Sequence, residues 1–561
     1  MLYPQSNRCR SVLNLNGIWC FKTVEPDFVP TMPVEDARPM PVPASMNEIV
    51  TDKATRDHEG KVVYEREFSL PVREGERYRL RIGATSHRCE IYLNGKKVGA
   101  GINGFYPIDL PLDEIKDVNR LSVVIDNRLS DTTLPVGEMV DGRQVYHQDF
   151  YNFTGIHRDV MVYSVPENHI RDIVVNTVVG GDYSRITVSV DTDSKVVSYV
   201  VRNMDGKVVA ESNSGELRIE SPEKWSTRNP YLYTLTVETD TDCYTETFGI
   251  RKVEVKDGKF LLNDEPVYFK GFGMHEDFHV LGKGASDAVN VRNFECLKWI
   301  NANSFRTSHY PYSEEIMNLA DRYGFLVIDE VPAVGMNRFT GVKVFSGEKA
   351  LVTERTKELH KELVSQLIAR DKNHPSVVMY SVGNEPTAEE DECYDYFKEI
   401  LEHARSLTNM PLTFVHCAFE EEDKCSSLPD VICLNRYYAW YYNHHGDLSD
   451  VERYLPDELK RFYARTGKPM IISEYGADTL EGFHSLPSES FSEEFQEEFV
   501  EAYSKVFDSL DFVIGEHVWN FADFKTKQGA TRVRGNRKGV FTRDRQPKLV
   551  AHYLKKRWDK K

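Results

Sequence analysis

From about residue 256 the chain alternates short apolar runs with longer stretches whose apolar residues recur every three to four positions. The runs are PVYFKGFGM (266–274), SFRTSHY (304–310), FLVIDEV (325–331), VVMYSVGNE (377–385), LTFVHCA (412–418), VICLNRYY (431–438), MIISEYG (470–476) and FVIGEHVWNF (512–521). Each has the length and composition of a buried strand, and intervening segments such as AVNVRNFECLKWINAN and EEIMNLADRYG have helical spacing. Eight strand–helix units in roughly 300 residues predict a (β/α)8 barrel over 256–561.

Before residue 256 the pattern is different. Short alternating or β-branched runs, among them VVYEREFSL (62–70), RYRLRIGA (77–84), RLSVVIDN (120–127) and RDVMVYSV (158–165), are separated by turn signals. Asn94-Gly95 and Asp205-Gly206 mark hairpins, since these residues tolerate positive φ. This predicts an all-β region over 1–166 and, from strand count, an immunoglobulin-like sandwich over 167–255, without the Cys–Trp–Cys pattern of antibody domains.

Composition narrows the picture. The 561 residues carry a formal charge of −18, with 40% hydrophobic and 28% charged residues, as in a water-soluble globular protein. The acidity argues against nucleic acid or anionic membrane as partners. No apolar run reaches the length of a membrane span, and the N-terminal stretch lacks the pattern of a secretory signal. The nine cysteines are scattered, with no CxxC pair, which predicts reduced thiols and a cytoplasmic location. The Asn152-Phe153-Thr154 sequon is then a coincidence. No clustered His/Cys spacing calls for a metal, and no organic cofactor is expected.

Four acidic residues fall at strand ends: Asp329, Glu330, Glu385 and Glu474. In such a barrel the C-terminal rim is where chemistry happens, and a carboxylate buried there needs a reason. Glu385 and Glu474 end the fourth and seventh runs, which face each other across the mouth. Opposed carboxylates suit glycosidic cleavage: one protonates the leaving oxygen, the other attacks or orients water at the anomeric carbon. Asp329 and Glu330 are better suited to orienting Arg306 or His309. Trp519, at the end of the eighth run, either floors a sugar subsite or fills the core.

One stretch runs against the overall acidity. TRVRGNRKGVFTRDRQPK (531–548) holds seven Arg or Lys and one acidic residue, Asp544. It reads as a solvated loop, a polyanion patch or a carboxylate clamp. The patch is disfavoured by net charge and by the lack of interleaved aromatics. For the clamp, Gly535 and Gly539 permit a tight loop, Lys538 offers a compact charge and Asn536 a neutral donor.

The motifs SVGNEP (381–386), ISEYG (472–476), NSFRTSHYPYSEEIMNLADRYGFLVIDE (303–330) and HQDFYNFTGIHRDVMVY (147–163) resemble glycoside hydrolase family 2 over nearly the whole chain, and within it the bacterial β-glucuronidase branch. The resemblance implies a jelly-roll sugar-binding-like domain, an immunoglobulin-like sandwich and a catalytic barrel, in that order. It implies retaining exo-hydrolysis of β-D-glucuronides, with Glu385 as acid/base and Glu474 as nucleophile. Asn384 then meets the sugar 2-hydroxyl, Tyr438 donates near Glu474, and Asn536 with Lys538 recognises the C6 carboxylate. Asp149, His309, Tyr442 and Arg532 are the remaining sugar contacts, although a structural reading of His309 is nearly as good. Glu385 is expected to be protonated and Glu474 ionised. A homotetramer is also implied.

The stretch AVGMNRFTGVKVFSGEKALV (333–352) is shorter than the aglycone-covering loop of some bacterial relatives, which admits larger leaving groups, oligosaccharides included. Arg537 is left to solvent or the aglycone side. A β-galacturonidase would keep the clamp, a β-galactosidase would not need it, and a dead barrel that only binds carbohydrate would not need both Glu385 and Glu474.

Overall fold

The computed structural model describes residues 2–561 except 103, 340, 341 and 349, so the reading of 333–352 lies partly outside the described residues. The N-terminal region is a β-sandwich. Its six-stranded sheet runs in the order Arg38–Val42, Gly17–Val24, Lys61–Ser69, Val118–Asp126, Arg88–Leu93 and Lys96–Gly101. A four-stranded sheet of Ser11–Asn14, Val160–Pro166, Glu76–Ile82 and Ile108–Pro111 accompanies it. Trp19, Phe21, Tyr64, Leu80, Ile91 and Val123 are among the residues of the shared core. A hairpin of Gly137–Val140 and Arg143–Tyr146 projects from this domain.

A second sandwich spans 172–248, with a three-stranded and a four-stranded sheet around Ile173, Ile186, Leu235 and Val237. Its strands alternate, as in Tyr233–Thr239, where every second residue is buried.

The remainder is a closed barrel of eight strands: β1 Phe269–Gly273, β2 Ser304–Arg306, β3 Leu326–Glu330, β4 Val377–Asn384, β5 Leu412–His416, β6 Ile432–Asn435, β7 Met470–Glu474 and β8 Val513–Val518. All neighbouring pairs are parallel, including β1 with β8. Each predicted run contains one of these strands. Strands β2 to β8 are buried along their whole length, which is why they read as apolar runs and not as alternation. Helix termini follow local chemistry. Ser313 accepts a hydrogen bond from Ile316 N–H at the start of Glu314–Tyr323, and Gly324, at φ +76°, ends it.

The domains are tied by buried polar contacts. Arg81 of the first sandwich pairs with Glu314 (2.6 Å), and Arg158 donates to Glu276 (3.0 Å) and to the Pro311 carbonyl (2.6 Å). Trp225 of the second sandwich donates to the Asp321 carbonyl at 2.9 Å. The loop 147–150 of the first sandwich lines the barrel mouth.

Candidate active site

A cleft of about 390 Å³ opens at the C-terminal ends of the barrel strands. Glu385 and Glu474 both line it, as the rim argument requires. Asp149, His309, Asn384, Tyr442, Trp519, Arg532 and Asn536 line it too. Of the predicted site residues only Tyr438 and Lys538 do not reach this wall.

Glu385 follows the last residue of β4 and takes a left-handed φ of +49°, a conformation uncommon outside glycine. Its N–H donates to Val415 O at 2.9 Å, and Pro386 fixes the exit of the chain. The carboxylate accepts a hydrogen bond from Asn435 Nδ2 at 2.7 Å. Asn435 is itself oriented by Ser473 Oγ, which donates to its Oδ1 at 2.9 Å.

Glu474 has a richer donor set. Arg306 Nη2 pairs with Oε1, Tyr437 Oη donates to Oε2 at 2.8 Å, and His309 Nε2 lies 3.8 Å away. Glu330 orients this arrangement: it takes Arg306 Nη1 on both oxygens at 2.8 Å, with His309 Nδ1 at 2.8 Å and Ser381 Oγ at 2.8 Å. Asp329, by contrast, accepts from Thr307 Oγ1 at 3.2 Å.

The expectation for Tyr438 is therefore corrected by one residue. Tyr437 holds Glu474, whereas Tyr438 Oη donates to Glu458 at 3.0 Å, beside Arg436. β6 ends at Asn435, and beyond it the chain leaves the alternating geometry that would assign faces by parity.

Burial raises both carboxyls. Glu385 lies above its ordinary range, since Asn435 and the more distant Arg306 recover less than burial costs. Glu474 is pushed up to about 8 by burial, which Arg306 opposes and repulsion from Glu385 reinforces. The expectation of one raised and one ordinary carboxyl is thus revised: both are raised. Glu474 faces a guanidinium and a phenol and Glu385 a neutral amide, so the donors favour charge on Glu474 against the burial that raises it. His309, buried against Arg306, is held at about 4 despite its bond to Glu330 and is therefore neutral near pH 7. Its ring stacks on Trp519 at 5.2 Å, and Trp519 forms part of the cleft wall.

At the other end of the cleft, cations and carboxylates interleave. Arg532 Nε donates to both oxygens of Asp149 (2.9 and 3.2 Å), and Asn536 Nδ2 donates to Asp149 Oδ2 at 2.9 Å. Lys538, buried behind them, pairs with Asp478 and donates to Tyr441 Oη at 2.6 Å; Arg532 Nη2 reaches the same oxygen at 3.0 Å. With its oxygen accepting from two cations, Tyr441 keeps its O–H to donate into the cleft it lines.

The loop 535–539 is held from both sides. Asp478 accepts Arg537 N–H at 2.8 Å, and Asp523 accepts Gly539 N–H at 3.0 Å. Four of the other five cations of the basic run are structural, and Arg534 is exposed. Arg537 pairs with Asp523 (3.0 Å), not solvent; Lys548 pairs with Asp523 (2.8 Å); Arg543 reaches Glu48 (3.0 Å) and Asp277; Arg545 donates to Asn293 (2.7 Å). Sequence reasoning missed Tyr437, Tyr441 and the role of Arg306 at Glu474. The first two sit in the run YYAWYY, where four tyrosines offer no local cue to choose among them.

Three family descriptions match successive parts of the chain: "Glycosyl hydrolases family 2, sugar binding domain" at 14–166, "Glycosyl hydrolases family 2" at 168–251, and "Glycosyl hydrolases family 2, TIM barrel domain" at 253–561. A β-glucuronidase of Paenibacillus borealis is 44% identical over 590 residues, covering 100% of this chain and 98% of its own. The solved β-D-glucuronidase of Dictyoglomus thermophilum superposes with a TM-score of 0.96 at 44% identity, covering 100% and 99% of the two chains. That of Ruminococcus gnavus, in complex with uronic isofagomine, gives a TM-score of 0.94 at 40% identity and covers 99% of each. The chain belongs to glycoside hydrolase family 2.

Proposed function

We propose that the protein is a retaining exo-β-D-glucuronidase. The observation that carries this is one cleft with the buried pair Glu385 and Glu474 at one end and a carboxylate-binding donor set of Arg532, Asn536 and Tyr441, backed by Lys538, at the other. The full-length similarity to β-glucuronidases supports the same sugar.

Glu474, ionised beside Arg306 and Tyr437, attacks the anomeric carbon. Glu385 gives its proton to the glycosidic oxygen, the C1–O bond breaks, and the aglycone leaves as an alcohol. Glu385, now a carboxylate, takes a proton from water as that water attacks C1. The Glu474–C1 bond breaks, and β-glucuronate is released with its configuration kept. Asn384 is the contact for the 2-hydroxyl; it is held by Arg306 Nη1 at 3.3 Å. Trp519 supplies an apolar floor, and Asp149 and His309 the remaining hydroxyl contacts. Tyr442, which lines the same cleft, is a further sugar contact. The nine free cysteines support a reducing, cytoplasmic setting, and a homo-oligomer, a tetramer by family resemblance, is part of the same proposal.

The test is a panel of 4-nitrophenyl β-D-glucuronide, β-D-galacturonide, β-D-glucoside and β-D-galactoside. The glucuronide is expected to give the highest kcat/KM. A higher value for the galacturonide or a neutral sugar would overturn the assignment.

A further inference from the structure

The nine cysteines have no task in the mechanism above, and two of them meet across a domain boundary. Residues 2–10 form a strap that runs from the second sandwich into the first. Leu2 sits in the core of the second sandwich, Tyr244 Oη donates to Tyr3 O at 2.9 Å, and Gln5 Nε2 donates to Thr245 O at 2.6 Å. Tyr3 Oη reaches Glu315 of the barrel at 2.6 Å, and at Ser11 the chain enters the first sandwich.

The end of the strap is locked on both sides of Cys9. Asn7 Oδ1 accepts the N–H groups of Cys9 (2.8 Å) and Arg10 (3.0 Å), while its Nδ2 donates to Cys243 O at 2.9 Å. Arg10 pairs with Asp242 through Nε (3.0 Å) and Nη2 (2.5 Å), and Asp242 accepts Cys243 N–H at 2.9 Å. Between these anchors the thiols of Cys9 and Cys243 are hydrogen-bonded to each other, and the Arg8 guanidinium donates to both sulfurs. A cation beside a thiol favours its thiolate, the form that attacks. Cys9 is half-buried, whereas Cys243 is 9% exposed and burial pushes its thiol up, so a reagent from solvent meets Cys9 first. Cys393 and Cys425 also touch, but both are fully buried.

We propose that Cys9 and Cys243 form a redox modification site: a small-molecule disulfide closes them into a bond that staples the strap to the second sandwich. Cys9 Sγ, as the thiolate, attacks one sulfur of the small disulfide and releases a thiol. Cys243 Sγ then gives up its proton, attacks Cys9 Sγ and releases the second thiol. Two electrons and two protons pass to the small disulfide, and one Sγ–Sγ bond forms. The ring so closed contains the whole first sandwich, so neither sandwich can leave the other while the bond holds. A cross-link over so long a loop restricts the unfolded chain strongly. In a reducing setting the pair stays open, and the strap is held by its non-covalent contacts alone.

The experiment uses the full chain with Cys20→Ser, which removes an exposed thiol that would react independently. The protein is incubated with oxidised glutathione, alkylated in denaturant, digested and mapped by mass spectrometry, and its Tm is measured before and after oxidation. The expected result is the loss of two thiols, a peptide pair linked through Cys9 and Cys243, and a Tm higher by about 3 °C or more. Dithiothreitol should reverse all three. Adding Cys243→Ser should trap one glutathione on Cys9 and remove the Tm rise, and adding Cys9→Ser should lose both the link and the rise. Two unreacted thiols, a glutathione that stays on Cys9 while Cys243 is intact, or a link to another cysteine would overturn the proposal. So would a link that leaves Tm unchanged, or a Tm rise that survives Cys9→Ser.

Discussion

Replacing Tyr437 by Phe removes one atom, the hydroxyl that donates to Glu474 Oε2 at 2.8 Å, and leaves the ring in place. A hydrogen bond to a charged group contributes about 1.5–3 kcal/mol, and 1.36 kcal/mol is one pKa unit. The bond favours ionised Glu474, so its loss raises a carboxyl already lifted to about 8 by roughly one to two further units. Only ionised Glu474 can attack. At neutral pH kcat/KM should fall about 10- to 100-fold, and the acid limb of its pH profile should move upward by the same one to two units. Tyr438→Phe is the matched control: it loses the bond to Glu458, costs about 1.5–3 kcal/mol of stability, and should leave that limb where it was. The assay is kcat/KM on an aryl glucuronide from pH 4.5 to 9 for wild type and both variants. An acid limb that stays put or moves down in Tyr437→Phe, or one that moves in Tyr438→Phe, would refute the assignment.

Other outcomes follow from the same geometry. Glu474→Ala should lower aryl glucuronide turnover by roughly 10⁴-fold or more, and normal turnover would end the glycosidase reading. Lys538→Met strips the buried Asp478 of its nearest cation, so it should cost about 3 kcal/mol of stability in urea unfolding as well as glucuronide turnover. Adding Asp478→Asn should restore much of the stability and none of the turnover; recovery of turnover would show that the charge of Lys538 is not used on substrate. Away from the site, His374 is lifted to about 9 because the Asp321 carboxylate outweighs burial. A raised histidine stabilises fully below its unfolded value of about 6.5, and the contribution is lost as pH climbs through 9. Unfolding free energy should fall by roughly 3 kcal/mol over that window, and Asp321→Asn should flatten it; an unchanged slope would contradict the pairing.

The barrel was legible because its strands are buried on both faces, which turns a three-dimensional fact into continuous apolar runs. Glu385 and Glu474 stood out for the same reason: an acid ending such a run is costly without a purpose. What eluded the sequence depends on contacts between distant residues. Arg537 reads as a solvent cation until Asp523 is seen beside it, and Arg543 until Glu48, nearly five hundred residues earlier, closes on it. Tyr437 and Tyr438 are chemically identical neighbours, and only the path of the chain after Asn435 separates their tasks. The upward shift of Glu474 was likewise out of reach, since it depends on burial.

The loop 147–150 carries a consequence for how this enzyme can be divided. Its residues belong to the first sandwich, yet His147, Gln148, Asp149 and Phe150 are part of the cleft wall. An excised barrel would keep its acid and nucleophile on their own strands and be open to water along one flank, with Arg532 and Asn536 deprived of the carboxylate that aligns them. The minimal catalytic unit is thus larger than the catalytic fold, and grafting a foreign N-terminal module onto this barrel would amount to redesigning its substrate pocket.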